Sequence, residues 1–206
     1  MVLALAVAWV SLDLLSPHRS DLREFDPNEV ARLETDMWRS YYERHQVRLF
    51  LELTELLRTQ YRMSFVRSNI AAYHAAKAAF VFKDGSSRPE YERALPAVIK
   101  FYEAVNRVST TPFDANKVAR LELEWWIIHR EREQYGQEAL ARSLMDLQAE
   151  VFHLPAERFT IHGQLRAEAM TLRDTKWAAG GVRESDWVRI RELLKGSWKD
   201  LWTQLH

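Results

Sequence analysis

Residues 121–132, LELEWWIIHRER, are dense in aromatic and charged side chains and contain no helix breaker. Read at about 100° per residue, Val118, Leu121, Trp125 and Ile128 form one apolar stripe, while Leu123, Trp126 and Ile127 extend it round most of the circumference. A helix apolar on nearly all sides is expected to have neighbours on several of them, so this one is placed at the centre of an all-α bundle, near residues 114–134. Trp125 and Trp126 are then expected to be largely buried. Glu122 and Glu124 interrupt the same apolar turn, and His129 follows a little later. A carboxylate in such a place must be paired, protonated or bound to a cation.

Outward from this helix the pattern stays helical. Asp26-Pro27-Asn28-Glu29 is a strong helix start, and helix one is expected from Pro27 to about Arg62. Its apolar face rotates partway along, which suggests a kink near His45. SNIAAYHAAKAAFVF makes a second helix closed by Asp84-Gly85, and Ser87-Arg88-Pro89-Glu90 begins a third with Tyr91, Leu95, Val98, Tyr102 and Val105 as its stripe. Asp114 caps the central helix, which Tyr135-Gly136 ends. Gln137 to His153, the stretch from Pro155 to Gly180-Gly181, and Glu184 to about Gln204 complete about seven helices. No strand-like alternation or internal repeat occurs, so residues 26–206 read as a single all-helical domain.

Residues 1–25 precede it as an apolar segment and a polar connector. Residues 1–12 carry no charged side chain and are too short to span a bilayer. With no basic flank, the favoured reading is a buried N-terminal helix in a cytoplasmic protein. A signal sequence is the alternative, and it would make the protein secreted or membrane-anchored.

Composition narrows the function classes. At 206 residues the chain is long enough for a real core, and 47% hydrophobic with 28% charged residues suits a soluble globular fold. A net charge of zero provides no global attraction for nucleic acid. The absence of cysteine excludes disulfides, thiolate metal sites and a cysteine nucleophile. No phosphate-cradling glycine loop, dinucleotide fingerprint, zinc motif or nucleophile-histidine-acid spacing is present.

The chemistry must therefore come from side chains that break apolar arcs: Glu34, Tyr41, His74, Lys77, Glu122, Glu124 and His129. Helical bundles bind metals through Glu and His projecting inward, and iron or manganese suits that ligand set. Glu34, His74, Glu122 and His129 are the candidate metal ligands, with Tyr41, Lys77 and Glu124 as candidate contacts to a bound cofactor. This reading expects a buried centre for a metal or small molecule, as in an oxidase. The two-metal signature is incomplete, because the chain has one Glu-x-x-His tetrad, Glu150 to His153, ending against Leu154-Pro155. Glu122 and His129 are about 10.5 Å apart along a helix axis, too far to share one ion unaided. The competing reading is a set of buried ion pairs. Glu34 separates the two: it should find a cationic, histidine or tyrosine partner on another helix, with His74, Lys77 and His129 the leading candidates.

Two further features have plainer readings. His162, Arg166 and Arg173 could hold a phosphate or carboxylate, but a solvated helix flank is the simpler expectation. The last helix sets Trp187, Ile190, Leu194, Trp198, Leu201, Trp202 and Leu205 against a charged face. It is expected to cover the bundle, and the alternative is an interaction protein that uses this helix or the apolar N-terminus. Among partners a small molecule, a metal or a second copy of the chain remain open, and a membrane is less favoured. In size and helix number the chain is similar to ferritin-like and haem-oxygenase-like proteins, a likeness at the level of fold that no complete motif supports.

Overall fold

Asp26 behaves as its sequence setting requires: its side chain accepts the backbone N–H groups of Asn28 and Glu29, and Pro27 occupies the first turn. The computed structural model describes residues 19–206, with residues 5, 8–11 and 13 before them. Nine α-helices follow among the described residues: α1 (Pro27–Tyr42), α2 (Gln46–Thr59), α3 (Phe65–Asp84), the short α4 (Arg88–Tyr91), α5 (Leu95–Val108), α6 (Ala115–Arg130), α7 (Arg132–Phe152), α8 (Thr160–Ala178) and α9 (Glu184–Leu205). The all-α class is as expected. The kink near His45 is a full break, with Arg44 in the left-handed region at φ 64° between α1 and α2. Gly136 does the same to α7 at φ 81°, a conformation that costs glycine little, so the regular part of α7 begins after it. At the start of helix three, residues 92–94 form a 3-10 turn between α4 and α5.

The eight long helices form a closed ring. Each packs mainly on its neighbours in sequence, and α9 packs back on α1 as well as on α8. Short connections make successive helices antiparallel, so the staves alternate in direction. One end of the ring therefore gathers the start of α1 and the ends of α2, α5 and α7. The other gathers the ends of α1, α3, α6 and α8. The closing seam is apolar: Ala31 of α1, Ala169 of α8, and Trp187, Ile190, Leu193 and Leu194 of α9 make one buried cluster. Trp187, Ile190 and Leu194 of the last helix's apolar face are thus buried within the ring, while Trp202 stays exposed.

The ring explains the opening stretch of sequence. The backbone of α6 packs between α5 and α7, to which it presents Val118, Ala119, Leu123, Ile127 and Ile128 as buried residues. A third side, with Glu122, Trp125, Trp126 and His129 at helical spacing, turns to a cavity inside the ring. The helix is thus apolar on three sides because two meet neighbours and one lines an interior space. Phe82 of α3 and Ala167 and Met170 of α8 reach α6 through side chains. The faces of α1 and α2 lie across the cavity. Trp125 and Trp126 are only partly buried, being exposed toward that space.

The polar connector is more engaged than its composition suggests. Ser20 is buried and pairs with the end of α5, donating its N–H to Val108 O (2.6 Å) and accepting from Thr110 N (3.0 Å). Leu22 and Phe25 line the cavity, so this strap closes the end where α1 begins. The expectation of a buried helix in the apolar run of residues 1–12 falls largely outside the described residues. Of those described, Leu5 and Trp9 are exposed, and the Trp9 ring lies 5.8 Å from that of Phe65. No helix among the described residues is long and apolar enough to cross a membrane.

Candidate functional site

All eight long helices contribute to the cavity, whose volume is about 490 Å³. Its walls are mostly aromatic and aliphatic, with ionisable groups in two layers. Three helices that run in the same direction set this spacing. Glu34 and Tyr42 on α1, Glu122 and Arg130 on α6, and Arg166 and Asp174 on α8 are each eight residues apart, roughly 12 Å along the axis.

The inner layer contains two carboxylates and one guanidinium. Glu34, 4% exposed, accepts Arg166 Nε (3.0 Å) and Nη2 (2.5 Å) on Oε1 and the Trp198 indole N–H (2.5 Å) on Oε2. The Arg166 guanidinium lies between the rings of Trp125 (5.4 Å) and Trp198 (5.6 Å). Burial opposes its charge, but Glu34 and Glu122 hold its pKa above the ordinary arginine value. Glu122 accepts the Trp126 indole N–H (2.9 Å) and the Tyr102 hydroxyl (2.8 Å). Burial, and then the Glu122 charge, push the Tyr102 hydroxyl well above its usual range and that of Tyr61 up to about 12.

The outer layer is basic. Asp174 is held by His129 Nε2 (2.9 Å), Arg132 Nε (3.3 Å) and Arg173 Nη1 (2.8 Å). Burial acts to raise this carboxyl, yet His129 and the two guanidiniums keep it below its usual value. The Arg173 guanidinium also stacks on the Tyr42 ring at 3.1 Å. Arg130 lies over Phe82 (5.0 Å) and Tyr91 (5.8 Å), and among the described residues it has no carboxylate partner. Arg130 and Arg132 are the exposed residues of the lining and carry it out to the molecular surface.

The candidates from sequence divide cleanly. Glu34, Tyr41, Glu122 and His129 line the cavity; His74, Lys77 and Glu124 do not. Lys77 is exposed, and Glu124 turns outward to an ion pair with Arg88. His74 is half-buried on α3, where burial, with Lys100 and Lys77 nearby, lowers its pKa. Glu34 is buried and has the expected cationic partner on another helix, but this is Arg166, joined by Trp198, and none of the leading candidates His74, Lys77 and His129, because α8 and α9 close the ring against α1. His129 pairs with Asp174 instead. The described residues assemble no group of three His, Asp or Glu side chains fit for a metal, so the metal set is not brought together. The Glu150 to His153 tetrad is also dispersed: Glu150 pairs with Lys117 (2.5 Å), and His153 Nε2 meets Pro112 O (2.9 Å).

The basic group expected on a solvated flank is interior. His162, Arg166 and Arg173 lie on α8 at four- and seven-residue spacing, which is the signal that they share one inward stripe. Asp174, Tyr61 and Arg130 carry no such signal in the sequence, since each sits at an element end or among unremarkable neighbours. Comparison of the chain with protein-family models, with curated proteins and with solved structures finds no match.

His162 provides a test of the packing behind this site. It is fully buried, its Nδ1 meeting the Ser197 hydroxyl (2.8 Å) and carbonyl (3.1 Å). Burial first, and Arg166 second, lower its pKa to about 3. The folded protein keeps it neutral, while the unfolded chain takes up a proton below about 6.5. Its contribution is therefore complete above that pH and falls as pH drops from about 6.5 toward 3, by up to ~1.4 kcal/mol per unit. Urea melts at pH 7 and pH 5 should show the loss, and His162→Gln should reduce the slope. An equal acid slope in both proteins would contradict this assignment.

Proposed function

We propose that the protein binds a small amphipathic molecule inside the helical ring, with an anionic group held at the Arg130–Arg132 mouth. The observation that carries this reading is the charge of the mouth. Three lining guanidiniums, Arg130, Arg132 and Arg173, accompany one lining carboxylate, Asp174, with Asp84 close enough to act on Tyr41, and Arg130 has no ion pair among the described residues. Arginines in this position suit a carboxylate or phosphate. Behind them, Phe82, Trp125, Trp126 and Trp198 offer an apolar interior, and a cavity of about 490 Å³ is in the range of small-molecule sites. The carboxylate oxygens of Glu34 are already occupied by a guanidinium and an indole, which favours an organic ligand over a metal at this position.

Isothermal titration with octanoate and its methyl ester tests the reading. The two probes share the chain and differ in the charge. Octanoate should bind and the ester should bind at least about tenfold more weakly, the scale of a lost charge-assisted contact. Arg130→Gln should weaken octanoate by a similar factor and leave the ester unchanged. Equal binding of acid and ester, or none by either, would overturn it.

A further inference from the structure

We infer that the natural ligand is dipolar, carrying a cationic amine at the end opposite its anion, and that Glu122 receives the amine. This rests on the reading above, and it follows from the charge balance of the inner layer. Two carboxylates, Glu34 and Glu122, share a single cation, Arg166, whose side-chain hydrogen bonds both go to Glu34. Glu122 is left with neutral donors, the Tyr102 hydroxyl and the Trp126 indole. A carboxylate in a largely apolar interior calls for a cation of its own. No lysine, and no arginine other than Arg166, lines the inner layer among the described residues.

The surroundings of Glu122 suit an ammonium group. The Tyr61 hydroxyl has no hydrogen-bond partner among the described residues and lies close enough to feel the charges of Glu122, Arg166 and Glu34. It can accept from an ammonium beside Glu122. Tyr61, Tyr102, Trp125 and Trp126 all line the same cavity, and aromatic rings favour a cation over a neutral group where a face is presented to it. At the other end, Arg130, Arg132 and Arg173 outnumber Asp174 and the nearby Asp84, and this excess of positive charge suits an anion. Glu122 and Arg130 lie on one helix, roughly 12 Å apart along its axis. The ligand therefore separates its charges by an apolar span of about 10 Å, longer than an α-amino acid and close to an extended ω-amino acid.

The test compares octanoate, aminooctanoate (amine at the far end) and octylamine by titration calorimetry on the intact protein. Aminooctanoate should bind about tenfold or more tighter than octanoate, as a charge-assisted pair gives. Octylamine, which lacks the anion, should bind more weakly than aminooctanoate. Aminobutanoate, too short to reach both layers, should lose the gain. Glu122→Gln should remove the preference for the amine, so that aminooctanoate binds no more tightly than octanoate to that variant. The wild-type comparison stands by itself even where that variant folds poorly. If octanoate binds and aminooctanoate binds no better, the dipolar assignment is wrong and the anion reading survives. If neither binds, the anion reading fails and takes this one with it.

Discussion

Arg166→Leu should destabilise the protein by about 3–5 kcal/mol, the largest effect expected of any single polar substitution in the ring. The cause is less the lost attraction than what remains. Glu34 would keep its place among Trp198, Val30 and Met37 with one indole N–H for its charge, since no other cation among the described residues reaches it. A buried, uncompensated carboxylate must then take up a proton or draw in water. The double variant Glu34→Met/Arg166→Leu removes both charges of this pair and should recover the part of the loss that Glu34 causes, because a buried pair replaced by apolar groups of similar size is often close to neutral, while the part owed to Glu122 remains. Urea unfolding of the two singles and the double measures this coupling directly. Additive effects in that cycle would mean that the two side chains do not act as a pair.

The second large effect concerns ring closure. Leu194→Ala should cost about 2–5 kcal/mol, since Leu194 is fully buried where α9 meets α1 and α8, beside Ile190, Ala31 and Ala169. Small alanines on the facing helices leave little freedom to collapse into the space. The same truncation at Val47, which is 75% exposed on α2, should change stability by less than about 0.5 kcal/mol. A small effect at Leu194 would mean that α9 is not the seam of the ring.

The fold is legible in the sequence at the level of helices and less so at the level of their arrangement. Asp26-Pro27, Asp84-Gly85, Asp114 and Gly180-Gly181 mark element ends by local chemistry, and the structure puts ends at each of them. The pattern of α6 is ambiguous for a physical reason: periodicity reports which faces avoid bulk water, and an interior cavity and a packed neighbour leave the same trace. A stave of a ring with an aromatic lumen therefore resembles the core helix of a solid bundle.

The site is legible in part for a related reason. Glu34 and Glu122 interrupt apolar arcs, and this marks them as inward. Their partners cannot be ranked from the pattern, since pairing depends on which helices adjoin, and that is set by the α9–α1 closure between residues distant in sequence. His74 and Lys77 interrupt the arc of α3, but the alanines on that helix, Ala75, Ala76 and Ala79, are what it turns inward. Arg166 and Arg173 are visible as a basic stripe. Arginine is frequent enough on solvated flanks that only the ring shows them to be interior.

The central claim is that the interior of the ring is a binding site entered past Arg130 and Arg132. A crystal structure of the protein soaked with ω-bromooctanoate tests it most directly, because the anomalous signal of bromine locates the ligand without reference to the protein's own atoms. The expected result is one bromine peak inside the ring near Trp125 and Trp126, with the carboxylate within hydrogen-bonding distance of Arg130. Bromine found only on the outer surface, beside exposed side chains such as Val47 and Leu51, or no bound bromine at a concentration that saturates binding in solution, would contradict the account.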